Sequence, residues 1–182
     1  MKSLNQILGS AFVAATLFLA SCTSEPCKNV VCVNSGVATA STDGKSCACA
    51  CTGGYEGDSC QTAGNIKFNG TYNASEKVGT STFTSSITLV AVTTGATTVN
   101  VEKFGNYNCA LTGGGTSKIT VPFTISSSNT SNITFNSTDG SICGYKITGS
   151  GSKSGTTISG TYVATYGTPA TTDNVTFTWT KI

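Results

Sequence analysis

From Asn65 to the C-terminus, apolar side chains recur at every second position. Ile66, Phe68, Tyr72 and Ala74 share one parity, with Lys67, Asn69, Thr71 and Asn73 on the other. The same alternation runs through Ile87, Leu89 and Ala91, then Val99 and Val101, then Tyr107, Cys109 and Leu111. Ile119, Val121, Phe123 and Ile125 follow, and after them Ile133 and Phe135, Cys143, Tyr145 and Ile147, Ile158, Tyr162 and Ala164, and Val175, Phe177 and Trp179. Period two marks a half-buried β-strand. The opposite parity is mostly Thr, Ser, Asn or Lys, and threonine suits it because a β-branched stem favours the strand while the hydroxyl faces water.

Glycine-bearing clusters punctuate these runs: Thr94-Gly95, Gly113-Gly114-Gly115, Asp139-Gly140, Gly149-Ser150-Gly151 and Gly167-Thr168-Pro169. Read as turns, they leave about eight or nine short strands joined by close connections. That pattern predicts a mainly β domain over 65–182, an antiparallel up-and-down barrel or a barrel-like sandwich. Phe68, Tyr72, Phe123, Phe135, Tyr145, Tyr162, Phe177 and Trp179 fall on the inward parity and are expected to line its interior. So much ring volume points to a filled core more than to a cavity. Pro122 cannot donate to a ladder, which predicts an opening or edge near its strand.

The N-terminus carries a different signal. Lys2 precedes an apolar run, Ala11 to Ala20, which is too short for a membrane span and fits a secretory leader. The run ends in Leu19-Ala20-Ser21-Cys22, which resembles the lipobox of bacterial lipoproteins. The resemblance implies removal of a signal peptide over 1–21, diacylglyceryl and acyl chains on Cys22, and anchoring to a membrane without a transmembrane helix. Thr23 in place of aspartate implies sorting to the outer membrane. Nine cysteines make an odd set; a lipidated Cys22 leaves eight, and in an exported chain these are expected to form disulfides.

Six of them crowd into 27–60. The segment Cys49-Ala50-Cys51-Thr52-Gly53-Gly54-Tyr55-Glu56-Gly57-Asp58-Ser59-Cys60 resembles the C-terminal half of an EGF-like module, with Gly54, Tyr55 and Gly57 forming its turn. Glycine there serves backbone positions where a Cβ would clash. The front half departs from the family, since Val37 and Ala38 stand where a third cysteine is usual and the next is Cys47. The resemblance implies pairs 27–47, 32–49 and 51–60; only Cys51–Cys60 follows from the motif itself, and Cys27, Cys32, Cys47 and Cys49 are open to exchange. Cys109 and Cys143, both on inward parities, remain for the β domain, where a bridge is expected and two separate buried free thiols are the alternative. Glu25 alone precedes Cys27, so no calcium is expected, and closely spaced thiols without any histidine argue against a metal site. The tether 22–26 and the joint 61–64 are both short. The EGF-like unit therefore reads as a stalk that lifts the β domain off the lipid.

The β domain itself resembles the lipocalin-like C-terminal domains of EGF-bearing lipoproteins of Bacteroidota, through Lys67-Phe68-Asn69-Gly70-Thr71-Tyr72 and Phe177-Thr178-Trp179-Thr180-Lys181. Composition changes the functional picture chiefly by exclusion. Charged residues are 10% of the chain, well under the usual ~25%. Arginine is absent and the lysines are scattered, so nucleic acid is not an expected partner. Without histidine, Ser-His and Cys-His nucleophile systems cannot be built. The domain's acids are Glu76, Glu102, Asp139 and Asp173. Asp139 and Asp173 sit at turn signals and Glu102 on an outward parity, which reads as solvated acids and not as a catalytic pair. The expectation is a non-enzymatic, cofactor-free lipoprotein of the outer membrane, surface-exposed, acting in binding, adhesion or structure toward a protein or glycan. The alternative is a lipocalin-like carrier of a small apolar ligand inside the barrel.

Overall fold

A computed structural model describes residues 25–110 and 115–182. Cys22, the 1–21 leader, most of the tether, Leu111 and Gly113-Gly114 lie outside them. Among the described residues no helix is long and apolar enough to cross a membrane.

The chain begins with a disulfide module that has almost no apolar interior. β1 (Val37–Ala40) pairs antiparallel with β2 (Cys47–Ala50), and β3 (Tyr55–Glu56) with β4 (Thr62–Ala63). Bridges join Cys27 to Cys47, Cys32 to Cys49 and Cys51 to Cys60, supplying the constraint that so small a unit cannot draw from burial. Gly53, Gly54 and Gly57 all hold positive φ, and Tyr55 is half-buried among them. Residues 61–64, a joint in the sequence, are structured. Thr62 and Ala63 form β4, and Gly64 opens a short 3-10 helix, Gly64–Phe68. Ile66 lies on this helix and is exposed, so the first apolar alternation begins at Phe68 and not at Ile66.

The second domain is a closed antiparallel barrel of eight strands. β5 (Gly70–Val78), β6 (Ser81–Ala91) and β7 (Thr98–Glu102) run up and down in sequence. An excursion over 103–120 then carries the separate hairpin of β8 (Asn108–Ala110) and β9 (Thr116–Lys118). The barrel resumes with β10 (Val121–Ile125), β11 (Asn132–Ile142), β12 (Tyr145–Ser154), β13 (Thr157–Tyr166) and β14 (Thr171–Lys181). β10 returns to pair with β7, and β14 closes the ring on β5. Pro122 points outward and the barrel stays closed around it. Its ladder to β11 nevertheless holds only Thr124 and Ile125, beyond the residue that lacks a donor.

Gly149 and Gly151 were expected in a turn but lie inside β12, beside Gly160 of β13. A Cβ on Gly151 would stand 2.9 Å from Cζ of Phe177, and one on Gly160 would stand 2.5 Å from Cα of Gly151. These glycines mark close approach, a role glycine takes within strands as well as between them. Asp139-Gly140 likewise belongs to β11, where the ladder to β12 shifts register after Ser137, as at a β-bulge.

Phe68, Tyr72, Phe123, Phe135, Tyr162, Phe177 and Trp179 are all buried in one core, and Tyr145 packs at its edge. Rings meet through the centre: Phe135 lies 5.9 Å from Phe177 and 6.0 Å from Trp179, and Phe68 lies 5.3 Å from Phe123. Phe104, from the excursion, is fully buried against Phe135, Tyr162 and Trp179. At one pole the 3-10 helix plugs the barrel. There the amide of Asn65 donates to the carbonyls of Val92, Gly95 and Thr98, and Tyr72 Oη–H donates to the Phe68 carbonyl. The disulfide module docks on this plugged pole.

Candidate functional site

The opposite pole is built differently because its strands are unequal. β7 ends at Glu102 and β10 begins at Val121, so the upper halves of β6 and β11 lack a partner on that side. The described parts of the 103–120 excursion lie at this pole. Phe104 N–H donates to the Ile119 carbonyl, and Tyr145 Oη–H donates to the Asn108 carbonyl. A disulfide from Cys109 in β8 to Cys143 in the β11–β12 turn, Cα to Cα 5.6 Å, ties the excursion down. Cys143 is exposed in a turn, with φ 53°, and Cys109 is only half-buried. The expectation of two inward thiols on barrel strands is corrected accordingly.

Beneath and beside the excursion the mouth keeps a cavity of about 300 Å³, lined by Glu76, Val78, Phe83, Asn106, Tyr107, Tyr145, Tyr162, Tyr166, Asp173 and Val175. The volume is at the lower end for small-molecule sites. Its floor is Glu76, 5% exposed, whose Oε1 accepts a hydrogen bond of 3.2 Å from Trp179 Nε1–H. Burial pushes the Glu76 carboxyl above the ordinary carboxylate range, against the opposing pulls of the Trp179 and Tyr162 donors and the charge of Lys118. Beside it, the Tyr162 hydroxyl faces Glu76 and Tyr107, yet it is buried and has no hydrogen bond of regular geometry. Burial and the neighbouring Glu76 charge drive its phenol strongly upward.

The wall of the mouth is a tyrosine cluster around Asp173. Tyr107 lies 5.2 Å from Tyr145 and 6.0 Å from Tyr166, and Tyr145 lies 5.3 Å from Tyr166, centroid to centroid. Oδ2 of Asp173 accepts from Tyr166 Oη–H at 3.0 Å and from Tyr107 Oη–H at 3.3 Å. Desolvation first, then the charge of Asp173, raises the Tyr107 phenol; the Asp173 hydrogen bond is the leading cause for Tyr166. Among the described residues neither Glu76 nor Asp173 is in a salt bridge. The same residues contain no group of three His, Cys, Asp or Glu able to hold a metal.

Of the predicted interior residues, Tyr145 and Tyr162 reach this site, and the other six pack the core. Asp173, expected as a solvated turn acid, instead lies half-buried on the inward parity of β14, two residues ahead of Val175. Glu76 follows Tyr72 and Ala74 on the inward parity of β5, and Tyr166 follows Tyr162 and Ala164 on β13. Each acid or phenol was one step further along an alternation already visible in the sequence. Asp139 and Glu102 are exposed, as read. No protein-family model, curated protein or solved structure matches the chain.

Proposed function

We propose that the protein is a lipid-anchored outer-membrane binding module, non-enzymatic, whose EGF-like unit is a stalk and whose barrel mouth is the binding site. One observation carries this reading: the only carboxylates buried or half-buried in the barrel, Glu76 and Asp173, converge on a cavity at the pole opposite the disulfide module. With Cys22 lipidated, Thr23 to Pro26 can span at most about 14 Å, so the stalk sits on the lipid and the mouth faces away from it. The packed rings of the barrel centre favour a ligand at the mouth over an apolar cargo in the interior.

Cys22→Ser tests the anchor. The variant should lose membrane association or accumulate unprocessed, and protease treatment of intact cells should release barrel peptides from the wild type. A Cys22→Ser protein that stays in the membrane fraction at mature mass would overturn the anchoring half of this proposal.

A further inference from the structure

We infer that the mouth cavity binds a small organic cation, seating its ammonium group in the space that the Glu76 and Asp173 carboxylates line together with the Tyr107, Tyr145 and Tyr166 rings. This rests on the proposal that the mouth is the binding site and adds the chemistry of its ligand.

The lining asks for donors and positive charge. Among the described residues, one oxygen each of Glu76 and Asp173 is in a hydrogen bond of regular geometry, and the donors are rings that belong to the wall. Tyr162, 2% exposed, lines the same cavity, its hydroxyl beside Glu76 and Tyr107 without a hydrogen bond of regular geometry. A buried hydroxyl left short of a well-aligned partner, on the floor beside a carboxylate, calls for one. The tyrosine rings supply faces and edges that attract a cation, an attraction that strengthens where water is excluded. The cavity is larger than a bare ion needs and lacks a metal-type donor set. Among the described residues the ammonium that acts on Glu76 is Lys118, which donates to the Gly105 carbonyl at 3.1 Å and is the weakest of the named influences on that carboxyl.

Binding should also move a proton. Glu76 faces Tyr162 from β13, Trp179 from β14, Phe83 from β6, and Tyr107 and Lys118 from the excursion, and Asp173 lines the same cavity further along β14. Tyr72 is the other titratable residue on the inward parity of its own strand. Burial favours the protonated acid, and an ammonium beside it restores the carboxylate, so uptake of the cation releases a proton and affinity rises with pH through the Glu76 titration.

The test uses the mature lipidated protein in detergent, with n-butylammonium and tetramethylammonium as probes, n-butanol as the uncharged isostere and glucose as a neutral polyol. Calorimetry in buffers of different ionisation enthalpy reads affinity and protons released; NMR of the Trp179 indole N–H reads location. Saturable binding of a cation is expected, with proton release and a shift of the indole signal. Affinity should fall at least about tenfold in both Glu76→Gln and Asp173→Asn, as when one partner of a buried charge pair is removed. Equal binding of n-butanol, unchanged cation affinity in Glu76→Gln, or no saturation by either cation would overturn the inference. Glucose binding that shifts the indole would sink the cation and leave the mouth standing as the site. Probe binding that leaves the indole untouched would sink the mouth reading itself.

Discussion

Glu76 is the residue on which stability and the proposed binding pull in opposite directions. A carboxyl at 5% exposure with one strong donor has a folded-state pKa raised above its unfolded value. Its proton-linked contribution is therefore fully present below the unfolded value, near 4.5, and is lost as pH rises through the folded one. Glu76→Gln keeps an acceptor for Trp179 Nε1–H, adds an amide N–H beside the Tyr162 hydroxyl, and removes the charge. It should melt higher than the wild type at pH 7, each kcal/mol gained showing as roughly 3–6 °C for a domain of this size, and the difference should shrink as pH falls toward 4.5. A melting-temperature series from pH 4 to 8 checks both. A variant less stable than wild type at pH 7 would show that Glu76 is held ionised by a partner. Residues retained against stability are those expected at functional sites.

At the scale of elements, the decisive feature is the excursion between β7 and β10. Its described residues insert Phe104 into the core and deliver Asn106 and Tyr107 to the mouth. The Cys109–Cys143 bridge fixes it across 34 residues of sequence. In the chain-entropy model, closing such a loop is worth about 3–4 kcal/mol, a large share of the ~5–15 kcal/mol typical of a domain. Replacing both cysteines by serine should lower stability by up to that amount. Hydrogen exchange should accelerate in 103–120 and leave β12–β14 near the plugged pole unchanged. Uniform acceleration across the barrel would mean that the bridge braces the whole fold and not the mouth.

At the scale of the molecule, the two modules meet through a small polar joint. Glu56 Oε2 in β3 accepts from Thr130 Oγ1–H at 2.6 Å and from Lys67 Nζ at 3.0 Å, and Lys67 also donates to Thr130 Oγ1 at 2.6 Å. Close backbone contact completes the joint: Gly64 N–H donates to the Gly54 carbonyl at 2.8 Å, and a Cβ on Gly54 would collide with Thr97. Burial works to raise the Glu56 pKa, but the Thr130 and Lys67 hydrogen bonds outweigh it and hold the carboxyl below the ordinary range. A depressed acid stabilises above its unfolded value, and that contribution goes as pH falls through the folded one. The joint is thus expected to loosen in acid while each module stays folded. Glu56→Gln should reproduce this at neutral pH: exchange increases in β3–β4 and 126–131, with a global cost under about 1 kcal/mol for so exposed a pair. If exchange there is unchanged, the backbone contacts alone hold the disulfide module to the barrel.

How much of this was legible beforehand follows from what each signal encodes. Period two and the outward threonines were enough to settle an all-β domain, its strands and most of its buried rings, because alternation reports directly which side of a strand leaves water. Cysteine crowding told of a small cross-linked module for an equally local reason. Sequence alone could not tell a turn glycine from one pressed between strands, so Gly149 and Gly151 became visible as β12 only once Tyr162 and Phe177 were stacked across from them. Nor does parity say how far along a barrel a residue sits or what it faces. Glu76, Tyr162 and Asp173 belong to three strands, and only register, closure of β14 on β5 and the shortness of β7 and β10 bring them to one mouth. The chain dictated inside and outside; the tertiary structure decided depth and neighbours, because those depend on pairings between segments far apart in sequence.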